Sequence, residues 1–81
     1  MSVIKELTIV GRLVEIQGTA AVVTFKMGDM PTGVIRAEGL KKIETTENGA
    51  MVGLILRNAR LDELGIWVGT ATNLHRLGAP A

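Results

Sequence analysis

The sequence predicts a small all-β barrel, and three observations carry that expectation. Apolar residues recur at period two in short segments closed by glycine, and no stretch of about 10 residues carries a helical period. The available core material is aliphatic, since one Phe, one Trp and no Tyr stand within a chain that is 47% hydrophobic. Small branched side chains suit a tightly curved sheet better than a groove lined with rings. With 81 residues the chain has material for one core and one domain.

Residues 4–16 read as the first strand. Leu7 and Ile9 stand at period two, then comes Leu13, and Val14 and Ile16 stand at period two after Gly11, so that the phase change straddles this glycine. A glycine at such a slip predicts a β-bulge or sharp bend. Gly18 ends the segment. Residues 19–27 form a second β segment, rich in β-branched Val22, Val23 and Thr24; Gly28-Asp29, Pro31 and Gly33 then mark a loop. Residues 34–37 resume as a short strand.

Gly39-Leu40-Lys41-Lys42-Ile43-Glu44 alternates charged and aliphatic residues, and Asn48-Gly49 predicts a hairpin. Met51-Val52-Gly53-Leu54-Ile55-Leu56-Arg57 is nearly continuous in apolar character, as expected of the central strand. Residues 58–65 have room for one helical turn around Asp62, Glu63 and Leu64. Ile66-Trp67-Val68-Gly69-Thr70-Ala71 is strand-like. The barrel domain is therefore expected over residues 1–72, with 73–81 a flexible tail.

Composition narrows the functional classes. The absence of Cys removes disulfides, zinc-finger spacing and thiol nucleophiles. Nine Lys and Arg against eight Asp and Glu leave a net charge of +1, far from the one-sided basicity that drives counterion release on nucleic acid. Weak self-repulsion makes a homo-oligomer plausible. Charges within Met1-Ser2-Val3-Ile4-Lys5-Glu6, and the lack of any apolar run of about 18 residues, point away from a signal peptide or membrane span. The expected location is cytoplasmic.

The second half resembles the second, β-barrel domain of translation GTPases such as elongation factor Tu. Met51-Val52-Gly53-Leu54-Ile55-Leu56-Arg57-Asn58, then Arg60-Leu61-Asp62-Glu63-Leu64-Gly65 and Ile66-Trp67-Val68, follow that family's order of aliphatic strand, acidic pair, glycine and last strand. Gly11-Arg12 and Lys26-Met27-Gly28-Asp29 add a fainter likeness. The resemblance implies a closed six-stranded Greek-key-like barrel of the translation-protein type. No Gly-x-x-x-x-Gly-Lys-Ser/Thr occurs, so the chain has no P-loop. Where elongation factor Tu carries Asn and Arg for the aminoacylated tRNA end, this chain has Met51 and Glu47-Asn48-Gly49-Ala50. An acidic residue facing phosphate is unfavourable, so that role does not transfer.

The catalytic inventory is empty. His75 has no second His or Cys to share a metal and no triad partner in sequence. Asp62 and Glu63 are adjacent and point apart, reading as turn residues. Ser2 is terminal. No cofactor is expected. Two binding functions remain.

The first is a non-enzymatic interaction module, binding a protein partner or itself through Ile66, Trp67 and Val68 and the edge carrying Met27 and Met30. Period two places Trp67 opposite Ile66 and Val68. Either the indole is an outward anchor, or it fills the core and its neighbours turn outward. The second is an RNA-binding accessory domain, associated with tRNA or the ribosome, using Arg36, Lys41, Lys42, Arg57 and Arg60. No aromatic residues interleave these basic positions.

Overall fold

The computed structural model describes residues 3–25 and 33–78. Its strands are β1 (Ile4–Gln17), β2 (Ala20–Phe25), β3 (Gly33–Glu38), β4 (Lys42–Ile43), β5 (Met51–Leu61), β6 (Trp67–Thr70) and β7 (Asn73–Arg76). Five of them, in the order β1-β2-β3-β6-β5, close on themselves through the β1–β5 pairing, while β7 and β4 extend outward from β5. The fold is thus an all-β closed barrel of five strands with two outer strands, where the sequence reading expects six in the barrel. The difference lies at Lys42–Ile43, which pairs in parallel with β7 and has no ladder with β5. Among the described residues no helix is long and apolar enough to cross a membrane.

β1 is long because it serves two neighbours in succession. Residues 4–12 pair with β5 and residues 11–17 with β2, so only Gly11 and Arg12 are held on both edges. Gly11 does not break the phase as expected: Ile9, Gly11 and Leu13 all face inward and are buried. The register slips instead between Leu13 and Glu15. The glycine answers to packing, since a Cβ at this position would fall on the carbonyl oxygen of Thr24 in β2. A two-residue loop then joins β1 to β2, with Gly18 at φ 65° and Thr19 outside the positive-φ region, the pattern of a type II′ turn.

The Asn48-Gly49 turn is present, but the hairpin expected there is not. The amide of Ala50 donates to the carbonyl of Glu47 at 3.2 Å, and φ is positive only at Gly49 (86°). That is type II geometry, whereas the tight hairpin type I′ needs positive φ at both central residues. The turn docks on β1 instead, through Leu13 N–H to the Ala50 carbonyl and Gly49 N–H to the Leu13 carbonyl.

A hairpin forms later, between β5 and β6, over the residues to which the sequence gives room for one helical turn. β5 continues to Leu61, with Asn58 at φ 52° inside an irregularity between Arg57 and Arg60. Asp62 then organises the bend. One of its carboxylate oxygens accepts from the amides of Leu64 (2.8 Å) and Ile66 (2.9 Å), and Gly65 at φ 79° completes the reversal. This is the three-residue hairpin loop closed by a left-handed glycine.

The core is aliphatic, as composition requires. Ile9, Leu13, Val23, Ile35, Val52, Leu56 and Leu74 are fully buried, and Phe25 and Trp67 pack half-buried against them. Leu74 corrects the tail assignment for residues 73–76, while residues 79–81 lie outside the described residues. Asn73–Arg76 is a strand that pairs with Val52 and Gly53 of β5 and with Lys42–Ile43. Burying one leucine between two partner strands fixes a segment whose exposed His75 and Arg76 make it read as solvated.

Candidate functional site

Trp67 lies on the inward face of β6 with Gly69 and packs against the core; Ile66 and Val68 turn the other way and are half-buried. Of the two orientations open from the sequence, the core-filling one is observed. Glycine at position 69 lets β5 and β6 approach, because a Cβ there would lie 2.6 Å from the Arg57 carbonyl and 2.8 Å from Leu56 Cγ. Met27 and Met30 lie outside the described residues.

The five basic positions do not gather into one patch. Arg36 is opposite Val68, and Val68 is opposite Arg60, so these two arginines flank one half-buried valine on the outer face. Arg36 is already engaged by Glu38 at 3.2 Å and by the side-chain oxygen of Gln17. Lys41 and Lys42 are exposed on a separate segment, with both amides donating to the Thr72 carbonyl. Arg57 stands apart again, across from Glu6 on one side and Thr70 on the other.

His75 has a partner that sequence reasoning did not find. Its Nδ1 lies 3.4 Å from one carboxylate oxygen of Glu44, whose other oxygen accepts from the Arg76 amide at 2.9 Å. The backbone amide of Arg76, then the imidazole, hold the Glu44 carboxyl below its ordinary value. The two residues are 31 positions apart, and only the β4–β7 pairing brings them together. No group of three metal-ligating side chains occurs among the described residues.

Two surface features emerge beside this pair. The first is an apolar face on the outside of β1 and β5. Val10 is 53% exposed, Ile55 42% and Leu77 36%. They line a shallow groove with Thr8, Gly53 and His75. Gly53 is its floor: Leu77 lies across the position where a side chain would stand, its Cδ1 3.1 Å from an added Cβ.

The second is a polar pocket of about 90 Å³ lined by Ile55, Arg57, Thr72, Asn73 and His75. It opens where β5 changes partner. On that edge β7 pairs only with Val52 and Gly53, and β6 begins at Arg57, so residues 54–56 lie in the gap where the chain crosses from β6 to β7. The nearly continuous apolar run of residues 51–57 gives no sign in sequence that Ile55 faces outward, and nothing local signals the gap.

The chain matches no protein-family model, no curated protein and no solved structure.

Proposed function

We propose that this barrel is a non-enzymatic interaction module whose partner is a second copy of the same chain. The observation that carries it is the apolar face of Val10, Ile55 and Leu77, side chains that gain about 1 kcal/mol each when the rest of their surface is covered. Two copies then contribute roughly 6 kcal/mol, and the two Glu6–Arg12 pairs formed between copies add about 1 kcal/mol each. Against an association cost at the low end of about 4–15 kcal/mol this leaves about 4 kcal/mol, a weak, concentration-dependent dimer of roughly millimolar affinity.

Charge complementarity favours a second copy over an unrelated partner. Glu6, Thr8, Val10 and Arg12 alternate along the outer face of β1. Antiparallel apposition about a two-fold axis between Thr8 and Val10 sets Glu6 of each copy against Arg12 of the other, as an isologous interface requires. Neither residue has an ion-pair partner within 4.0 Å among the described residues. On this reading the contact is this face, and Trp67 stays within the core.

Sedimentation velocity over a wide concentration range tests the reading. The protein should pass from monomer to dimer as concentration rises, and Val10→Glu, which sets two carboxylates against each other near the axis, should remain monomeric while keeping its β spectrum. A chain that stays monomeric at millimolar concentration, or a V10E variant that dimerises like the parent, refutes it.

A second reading, single-stranded nucleic-acid or RNA binding, is favoured by the strand order. Omitting β4, the arrangement 1-2-3-5-4 closing on strand 1 is also that of five-stranded oligonucleotide-binding barrels. Arg36 and Arg60 around Val68 would then meet phosphates. Fold alone does not carry function, and stacking rings are lacking on that face. The likeness to translation-factor barrels rests on the β5–β6 hairpin, where Arg57-Asn58 and Asp62-Glu63-Leu64-Gly65 form the bend and turn. Salt-sensitive tRNA binding at micromolar protein favours this second reading; its absence at low salt rejects it.

A further inference from the structure

The pocket between β5 and β7 shares Ile55 and His75 with the apolar groove, but its other lining residues have a chemistry that the self-association reading does not use. Its lining residues are Arg57, His75, Thr72 and Asn73 beside the aliphatic Ile55. No carboxylate lines it. We propose that it is an oxyanion site that takes a single phosphate group.

Three observations converge on that ligand. Arg57 makes no side-chain hydrogen bond and no ion pair within 4.0 Å among the described residues, although Glu6 is its cross-strand neighbour. An uncommitted guanidinium offers a planar fork that matches a tetrahedral oxyanion with two parallel hydrogen bonds. His75 is held on its Nδ1 side by Glu44 at 3.4 Å, leaving Nε2 as the ring nitrogen for a ligand. Glu44 itself is occupied by that contact and by the Arg76 amide, and it is not among the lining residues.

The site is also built by the fold. The Thr72 carbonyl is tied back by the amides of Lys41 and Lys42 at 2.8 and 3.1 Å, and Asn73 is fixed by its pairing with Lys42. Thr72 and Asn73 therefore stand on an anchored crossing between β6 and β7. The volume of about 90 Å³ matches one tetrahedral group, with anything esterified to it lying outside at the open mouth.

The test is a two-dimensional amide NMR titration of the full chain with sodium phosphate, against sodium chloride at matched ionic strength. Saturable shifts should be confined to residues 54–57 and 72–76. Arg57→Gln should weaken binding about tenfold, as expected for loss of a charge-assisted pair of donors, while Arg60→Gln, outside the pocket, binds as the parent does. No saturable shift, shifts spread over all basic residues, or undiminished binding by R57Q overturns the proposal. A parallel titration with a short single-stranded oligonucleotide identifies the source. Tighter binding than phosphate at the same amides assigns a nucleic-acid phosphate, and equal or weaker binding assigns a free phosphate or monoester. Titrating Val10→Glu as well separates this site from self-association, since that residue does not line the pocket.

Discussion

Truncating Leu74 asks whether the last strand belongs to the folding unit. The side chain is fully buried and joins the main core cluster, and its strand is held by only two pairs to β5 and two to β4. Removing a buried leucine down to alanine costs about 2–5 kcal/mol, the upper part of that range applying where the surroundings cannot collapse. A chain of this length has roughly 4–12 kcal/mol of total stability. Leu74→Ala should therefore remove a large fraction of it and lower the melting temperature by about 10–30 °C.

Urea unfolding followed by Trp67 fluorescence measures the loss, because the indole packs against the same core. His75→Ala, on the exposed side of the same strand, is the control and should cost less than about 1 kcal/mol. If Leu74→Ala is as mild as that control, the strand is not docked and residues from Asn73 onward are a tail after all.

Two further outcomes follow from close contacts and charge. Gly69→Ala should destabilise by about 1–3 kcal/mol, because its Cβ would press on the Arg57 carbonyl at 2.6 Å and backbone cannot yield as a side-chain tip does; an unchanged urea midpoint would mean that β5 and β6 are further apart. Glu44 has a folded-state pKa held below its ordinary value, so its contribution is present above the unfolded carboxylate pKa and is lost as pH falls through the folded one. The stability difference between the parent and Glu44→Gln should accordingly shrink on acidification; a difference constant with pH would show that the Arg76 and His75 contacts do not favour the ionised form.

How much of this was legible beforehand depended on how local the cause was. β5 was readable because Met51 to Leu56 is apolar and strand-length, and it does become the strand with the most partners. The Asn48-Gly49 pair gave a correct turn and a wrong hairpin. Turn propensity is local, whereas pairing depends on what competes for Lys42–Ile43, and β7 prevails. At residues 62–65 the error ran the other way, since charged and apolar residues at close spacing resemble a helical turn. Asp62 decides for the loop by accepting two amides at once, a possibility any Asp carries and few realise. The Glu44–His75 contact had no signal in sequence, because a parallel pairing of two-residue length creates it.

Both surface features border Ile55 of β5, a strand whose outer edge is shared by two strands which do not meet. Because β6 leaves after Arg57 and β7 arrives only at Gly53, the outward side chain between them, Ile55, borders open space on that side. It lines the apolar groove toward Val10 and the polar pocket toward Arg57. The gap between β6 and β7 is thus what opens the polar pocket beside Ile55, while the apolar groove lies on the outer face that β1 and β5 already share. The basic residues named from sequence accordingly differ in surroundings: Arg57 borders the gap without an ion pair among the described residues, while Arg36 is paired with Glu38.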